Sequence, residues 1–192
     1  MRRSMASMLV ALGCLSTPLA AQNEFPTSTT SWGLGLAATM GKGWQIEGAE
    51  LGLQRRLRAP LGAMSVAARF GSFIDEGAII GGARGFVAAL VLGARTGSAT
   101  LFEVGTEESP TRVAFDVSVE AAGYLGTNSP LPQGGGWVAA AVLPGLRFGE
   151  TGGTQYSIVI GPTVFFGGGE PDVRAFLGIR FEAPLAPRER RP

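Results

Sequence analysis

Histidine is absent from this sequence of 192 residues. Its absence excludes nucleophiles that histidine activates and metal sites built on imidazole. Carboxylates remain, but Glu107 and Glu108 lie in a polar loop, and Asp75 and Glu76 fit a turn. Solvation is the ordinary role of such charges. We therefore expect a protein that is not an enzyme and that holds no metal ion and no cofactor.

Cysteine and long apolar runs are also scarce. Arg2 and Arg3 precede a short apolar run, Met5–Leu15, and small residues follow up to Ala21. This order is typical of a secretory signal peptide, and the run is too short for a membrane-spanning helix. A lipoprotein signal around the single cysteine, Cys14, is a weaker interpretation. We predict a signal peptide at residues 1–21.

Removal of that signal changes the formal charge little. The whole chain carries a net charge of +1, and losing its two arginines brings this to −1. Nothing in this balance favours binding to nucleic acid. The predicted domain organisation is a leader at 22–29, one β domain at 30–183 and a tail rich in proline and arginine at 184–192.

Alternation of apolar and polar residues is the clearest pattern in the remaining chain. Val113, Phe115, Val117 and Val119 alternate with small or charged residues, and residues 173–182 repeat the pattern. This period of two is typical of β-strands that separate an apolar from a polar environment. With 30 glycines and 45% hydrophobic residues, the chain fits a membrane barrel, in which apolar residues occupy alternate positions.

Turn residues divide the domain into about eight predicted strands: 30–41, 43–57, 63–74, 83–95, 111–126, 136–149, 154–167 and 172–183. The fold class is therefore all-β, a closed antiparallel up-and-down transmembrane barrel, since an open meander would leave exposed edges. Residues 96–110 are predicted as a loop, with a ninth strand at Ala99–Val104, reached by turning back through Thr96–Ser98, as the alternative. A bulge near Gly48 would reconcile a change of phase in 43–57. Pro144 and Pro162 require a bulge or a gap in the strand pairing.

The large amphipathic aromatic residues lie near predicted strand ends, where a membrane barrel carries its interfacial aromatic girdles. The predicted interfacial residues are Trp32, Trp44, Tyr124, Trp137 and Tyr156. Covering the edges of a protein core is the alternative role for them.

With these patterns, residues 30–183 resemble the small bacterial outer-membrane β-barrels of the OmpA/OmpX/OmpW-like group. The final strand contains Gly178 and Phe181 in places similar to the terminal signature of such proteins, although the usual terminal aromatic is absent. The resemblance implies the bacterial outer membrane as the location. It also implies membrane lipids and the barrel-assembly machinery as partners, and a monomer.

Charged residues on the polar side of the strands should face the barrel interior, where space is limited. The predicted lumen charge network consists of Arg69, Asp116, Glu120, Arg174, Arg180 and Glu182, with Glu47 as a possible addition. Such charges must pair, because an unpaired buried charge is costly. We therefore predict a filled lumen and a structural or surface-interaction role. The alternatives are a narrow porin-like channel and a soluble exported barrel, similar to a lipocalin, that binds a small apolar ligand.

Overall fold

The computed structural model describes residues 30–57, 61–75, 83–106, 109–128, 136–150, 153–167 and 169–185. The predicted signal peptide and leader lie outside this part of the chain. The described residues form nine strands: β1 (Thr30–Met40), β2 (Trp44–Arg56), β3 (Leu61–Asp75), β4 (Ala83–Thr96), β5 (Ala99–Thr106), β6 (Ser109–Gly126), β7 (Trp137–Gly149), β8 (Gln155–Phe166) and β9 (Asp172–Pro184). Within these ranges no helix is long and apolar enough to cross a membrane.

Eight of the strands form a closed antiparallel barrel, as predicted from the alternation. The order around the barrel is β1-β2-β3-β4-β6-β7-β8-β9, and β9 pairs with β1 to complete the circuit. Every pairing is antiparallel, and neighbours in space are neighbours in sequence except at β1–β9 and at β4–β6, where β5 intervenes. Closure leaves these eight strands without a free lateral edge, which removes the main liability of a long meander.

The strands are strongly staggered. Starting at Val87 on β4, the paired residues run around the barrel through Gly71, Gly48, Ala37, Gly178, Val159 and Gly145 to Asp116 on β6. Because Arg95 lies opposite Ser118 in the β4–β6 pairing, Asp116 falls opposite Gly97. The row of paired residues that leaves β4 at Val87 therefore returns to β4 about ten residues further along the chain. A stagger of this size goes with strands tilted by roughly 35–45°. The small residues in this row leave interior space for larger side chains.

The two faces of the wall have opposite chemistry. Apolar side chains such as Leu36, Leu90, Val119 and Ile160 are 53–66% exposed on the outside. The alternate positions point inward and carry the buried polar and charged side chains, of which Asp116 is 2% exposed. The predicted assignment of faces along β6 and β9 therefore holds for their central residues.

The bulge predicted near Gly48 is absent. Gly48 pairs with Ala37 on one side and with Gly71 on the other, within uninterrupted registers. The change of phase in β2 has a different cause: Trp44 and Ile46 face inward into an apolar part of the lumen, whereas Leu51 and Leu53 face outward. Because the phase is constant, Glu47 shares the outward face with Leu51 and does not join the lumen.

The two prolines are accommodated by a gap in the β7–β8 pairing. This pairing stops at Ala141–Thr163 and resumes at Gly145–Val159 in the same register, and Pro144 and Pro162 lie in the interval. No extra residue is inserted, so the missing hydrogen-bond donors are tolerated without a bulge.

The loop predicted at 96–110 is wrong, because Ala99–Thr106 forms β5. The chain does not turn back after Thr96, as the alternative interpretation supposed. Instead β5 continues in the direction of β4 along the same edge of β6, so that Arg95 lies opposite Ser118 and Ala99 opposite Phe115. The sequence offered no turn residue stronger than Gly97-Ser98 here, and that pair marks an irregularity inside one long strand.

Candidate functional site

The lumen is the candidate site, and its charged half contains two closed rings of ion pairs. In the first ring, Arg69 and Arg180 alternate with Glu50 and Glu120. Arg69 lies 2.6 Å from Glu50 and 2.5 Å from Glu120, and Arg180 lies 3.0 Å and 2.5 Å from the same two carboxylates. Each carboxylate thus bridges two guanidinium groups, and the four formal charges balance.

The second ring lies nearer the end of the barrel that carries Thr30 and Leu185, called here the termini end. Arg147 lies 3.0 Å from Asp116 and 2.9 Å from Glu182. Arg95 completes the ring more loosely, with its Nη1 atom 3.4 Å from Asp116 and 3.8 Å from Glu182. This ring is also neutral, but the Nη1 atom of Arg95 makes no hydrogen bond to either carboxylate.

Uncharged polar groups extend these rings. Gln155 accepts a hydrogen bond from Arg147 Nη1 at 3.1 Å, and Gln54 donates to Glu182 at 3.0 Å. Ser98, in the irregularity between β4 and β5, donates to Asp116 at 3.1 Å. Buried charges need such additional partners, because ion pairing alone rarely offsets the cost of removing them from water.

The other half of the lumen is apolar and aromatic. It lies toward the end of the barrel that carries the connections 76–82 and 127–136, called here the loop end. Trp44 contacts Phe73 and Phe165 edge to face, with ring centroids 5.7 Å apart in both pairs. Tyr124 stacks on Trp137 at 5.7 Å with an interplanar angle of 2°. Tyr124 also joins the two halves, since its hydroxyl accepts a hydrogen bond from Arg69 Nη1 at 3.3 Å.

Arg174 does not belong to the predicted charge network. Its side chain lies in the aromatic half, 3.3 Å from the ring centroid of Trp44, and it pairs with Asp172 at 2.8 Å. It also donates hydrogen bonds to the backbone carbonyls of Lys42 and Trp44. Arg174 thus fastens the β1–β2 turn across the loop end of the lumen, far from Asp116 and Glu120. The other five predicted residues lie together in the two rings.

The predicted interfacial aromatics divide between the two sides of the wall. Trp44, Tyr124 and Trp137 are 4–7% exposed and lie inside the barrel, so their assignment to a lipid interface is wrong. Their positions near strand ends reflect the apolar half of the lumen, which extends to the loop end. Trp32 and Tyr156 do face outward, and both contact Phe181, with centroids 5.5 Å and 5.3 Å apart.

Three ring members were missed in the sequence. Arg95 and Arg147 end strands that looked apolar on both faces, yet each shares its parity with inward residues such as Val91 and Leu143. Glu50 alternates with the outward residues Leu51 and Leu53 and was not included in the predicted network. If the alternation of inward and outward residues is continued unchanged from the centre of each strand to its end, all three residues face the lumen.

The filled interior limits what the lumen can do. Three cavities touch interior side chains: one of about 50 Å³ beside Glu50 and Arg180, and two of about 10 and 20 Å³ beside Phe176 and beside Ser157. A water molecule fits such a space, whereas pockets for small organic ligands usually measure about 300–1,000 Å³. Across the described ranges, no three acidic side chains group as a metal site would require.

Comparisons with known proteins do not identify the chain. No protein-family model matches it, and no curated protein is detectably similar to it.

Proposed function

We propose that the chain is a bacterial outer-membrane β-barrel with a structural or surface-interaction role. The observation that carries this proposal is the apolar outer wall. Large hydrophobic side chains are exposed on every strand of the barrel, for example Leu51 (56%), Leu92 (59%), Val138 (56%) and Ile158 (45%). Soluble monomers rarely expose contiguous apolar patches of more than a few hundred Å², whereas a membrane barrel presents such a belt to lipid.

The ends of the barrel support the same proposal. Trp32, Tyr156 and Phe181 form an outward aromatic group on three adjacent strands near the termini end, where an interfacial girdle would lie. The connections 57–60 and 150–154 at that end are short, as periplasmic turns of outer-membrane barrels are, and the β5–β6 hairpin is the exception there. By these turns, the longer connections 76–82 and 127–136 at the opposite end would face the cell exterior.

The lumen favours a plug over a channel and over an enzyme. Two neutral rings of ion pairs and an aromatic cluster fill the described interior. No histidine is available for catalysis, and the carboxylates of the rings are engaged by arginines. A lipocalin-like binding protein would need an apolar cavity and a polar outer surface, whereas here the described outer wall is apolar and aromatic side chains fill the apolar half of the lumen.

Fractionation tests the proposal directly. We expect the protein to require detergent for extraction and to migrate faster unheated than boiled on a denaturing gel, as closed membrane barrels do. Recovery as a soluble monomer without detergent would refute it and favour the lipocalin-like alternative. In planar bilayers we expect little steady conductance, and large stable single-channel currents would instead indicate a porin-like function.

A further inference from the structure

β5 lies beyond the barrel rim and is paired on one side only. β3, which flanks β4, ends at Leu61 opposite Thr96, and β7 ends at Gly149 opposite Arg112. β5 pairs with the first residues of β6, and the edge of β5 that faces away from β6 meets no strand among the described residues. Eight residues correspond to about 26 Å of strand, so the β5–β6 hairpin projects well past the termini end.

Both faces of this hairpin strand are exposed. Leu101, Phe102 and Val104 are 54–59% exposed, and the remaining residues from Thr100 to Thr106 are exposed as well. A bilayer around the barrel would cover the outer wall, but lipid cannot satisfy the backbone amide and carbonyl groups of a free strand edge. Natural proteins usually protect such edges with lysine, proline or very short strands. β5 contains no lysine and no proline.

The hairpin is acidic. Residues 99–115 contain Glu103, Glu107 and Glu108 and one basic residue, Arg112, which gives a net charge of −2. Arg112 pairs with Glu103 at 2.6 Å on one face, while Phe102 lies opposite Val113 on the other. A strand added to β5 would therefore meet apolar side chains on one face and the Glu103–Arg112 pair on the other, in a hairpin whose net charge is negative.

We propose that β5 accepts an extended, basic segment of a partner protein as an additional antiparallel strand. Backbone hydrogen bonds to the free edge would supply affinity, and alternating apolar and basic side chains would supply specificity. The regular part of the register, Phe102–Thr106, is the expected contact, because the pairing with β6 is irregular between Thr100 and Phe102.

Synthetic peptides test this with the full chain in lipid nanodiscs. The probe is an eight-residue peptide of alternating lysine and valine, labelled for fluorescence anisotropy. We expect it to bind at least tenfold more tightly than the same peptide with glutamate in place of lysine. It should also bind at least tenfold more tightly than a version with alternate backbone amides methylated. Equal binding of the methylated peptide would overturn the proposal, because that peptide cannot pair as a strand.

A matched pair of variants locates the contact. Val104→Lys should weaken binding of the lysine peptide at least tenfold. Thr111→Lys, directly opposite on β6 and also exposed, adds the same charge away from the free edge and should have a clearly smaller effect. Equal losses would show charge repulsion alone and refute strand addition. Folding of both variants is checked by the gel shift of the unheated protein.

Hydrogen exchange separates this proposal from a lipid-binding role. We expect the amides of residues 102–106 to be protected by the peptide and not by the nanodisc alone. Protection by lipid without peptide would assign the hairpin to the membrane surface and overturn the proposal. The inference takes only the location of the termini end from the proposed function. If the protein shifts on the gel when heated but binds none of the peptides, only the proposal of an added strand is refuted. If it is a soluble monomer that binds them, only the proposed membrane function is refuted.

Discussion

The two halves of the lumen are filled by different physical means. Toward the loop end, Trp44, Phe73 and Phe165 pack ring against ring in an ordinary apolar core. Toward the termini end, two rings of arginines and carboxylates fill a similar cross-section. The aromatic half gains stability from every contact that excludes water. The charged half is favourable only when each ring is complete, because removing one partner leaves a buried charge uncompensated.

The largest effect should come from removing a carboxylate that two arginines share. Glu120→Ala leaves Arg69 and Arg180 with Glu50 alone, and we expect a loss of about 4–5 kcal/mol in the free energy of unfolding. Urea unfolding in micelles, followed by tryptophan fluorescence, measures this loss. The double variant Glu120→Ala, Arg180→Leu leaves Arg69 paired with Glu50 at 2.6 Å, so it should be less destabilised than the single variant. Additive losses would contradict closed pairing.

In the aromatic half, truncating Phe73 tests ordinary packing. Phe73 is 0% exposed and contacts both Trp44 and Trp137. Phe73→Ala should cost about 3–4 kcal/mol through lost burial and the cavity that remains. The more conservative Phe73→Leu should cost clearly less. If Phe73→Leu cost as much as Phe73→Ala, packed volume would not be what stabilises this half of the lumen.

Two adjacent residues of β6, Val119 and Glu120, lie on opposite faces of the barrel wall and allow those faces to be compared. Val119 faces outward and is 53% exposed, whereas Glu120 faces the lumen. Val119→Arg should cost about 2–3 kcal/mol if the outer face meets lipid, and Val119→Leu should be close to neutral. Refolding yield and unfolding free energy in lipid bilayers measure both. A harmless arginine at this position would mean that the outer wall meets water.

The smallest effect should distinguish the tight ring from the loose one. Arg95 stands 3.4–3.8 Å from its carboxylates, whereas Arg69 makes contacts of 2.5–2.6 Å. We expect Arg95→Gln to cost about 1–2 kcal/mol, less than Arg69→Gln in the same assay, because Arg147 still pairs with both acids of the second ring. A larger cost for Arg95→Gln would reverse the order of the two rings.

Period-two reasoning predicted the strands of the barrel wall and the faces of β6 and β9, because one alternating pattern spans each of them. It failed where the lumen itself changes character. Trp44, Tyr124 and Trp137 were predicted to lie at the membrane interface because amphipathic aromatics near strand ends are typical of an interfacial girdle. Half of this lumen is apolar, and the alternation within each strand places all three inside, as Tyr124 shows by sharing its parity with the buried Glu120.

The ion pairs were harder to predict than the strands. The sequence identified most inward charges by parity, but partners such as Glu50 and Arg180 are far apart in sequence and meet only through the stagger of the closed barrel. The register of β1 with β9 decides which inward side chains lie at the same level of the lumen. This register depends on the pairings of all eight strands of the barrel. Arg174 was assigned to the wrong half for the same reason.

Closure through β1 and β9 also has a consequence for the order of folding. Most strand pairs join segments adjacent in sequence and can form early, whereas β1 and β9 pair across almost the whole domain. Such non-local pairing is slow, because the entropy of closing a long loop is lost before the contacts form. Arg180 and Glu182 belong to β9, so neither ring is complete until that last strand docks. The charges therefore remain hydrated until closure, and dehydration of the lumen and sealing of the seam are expected to be one kinetic event.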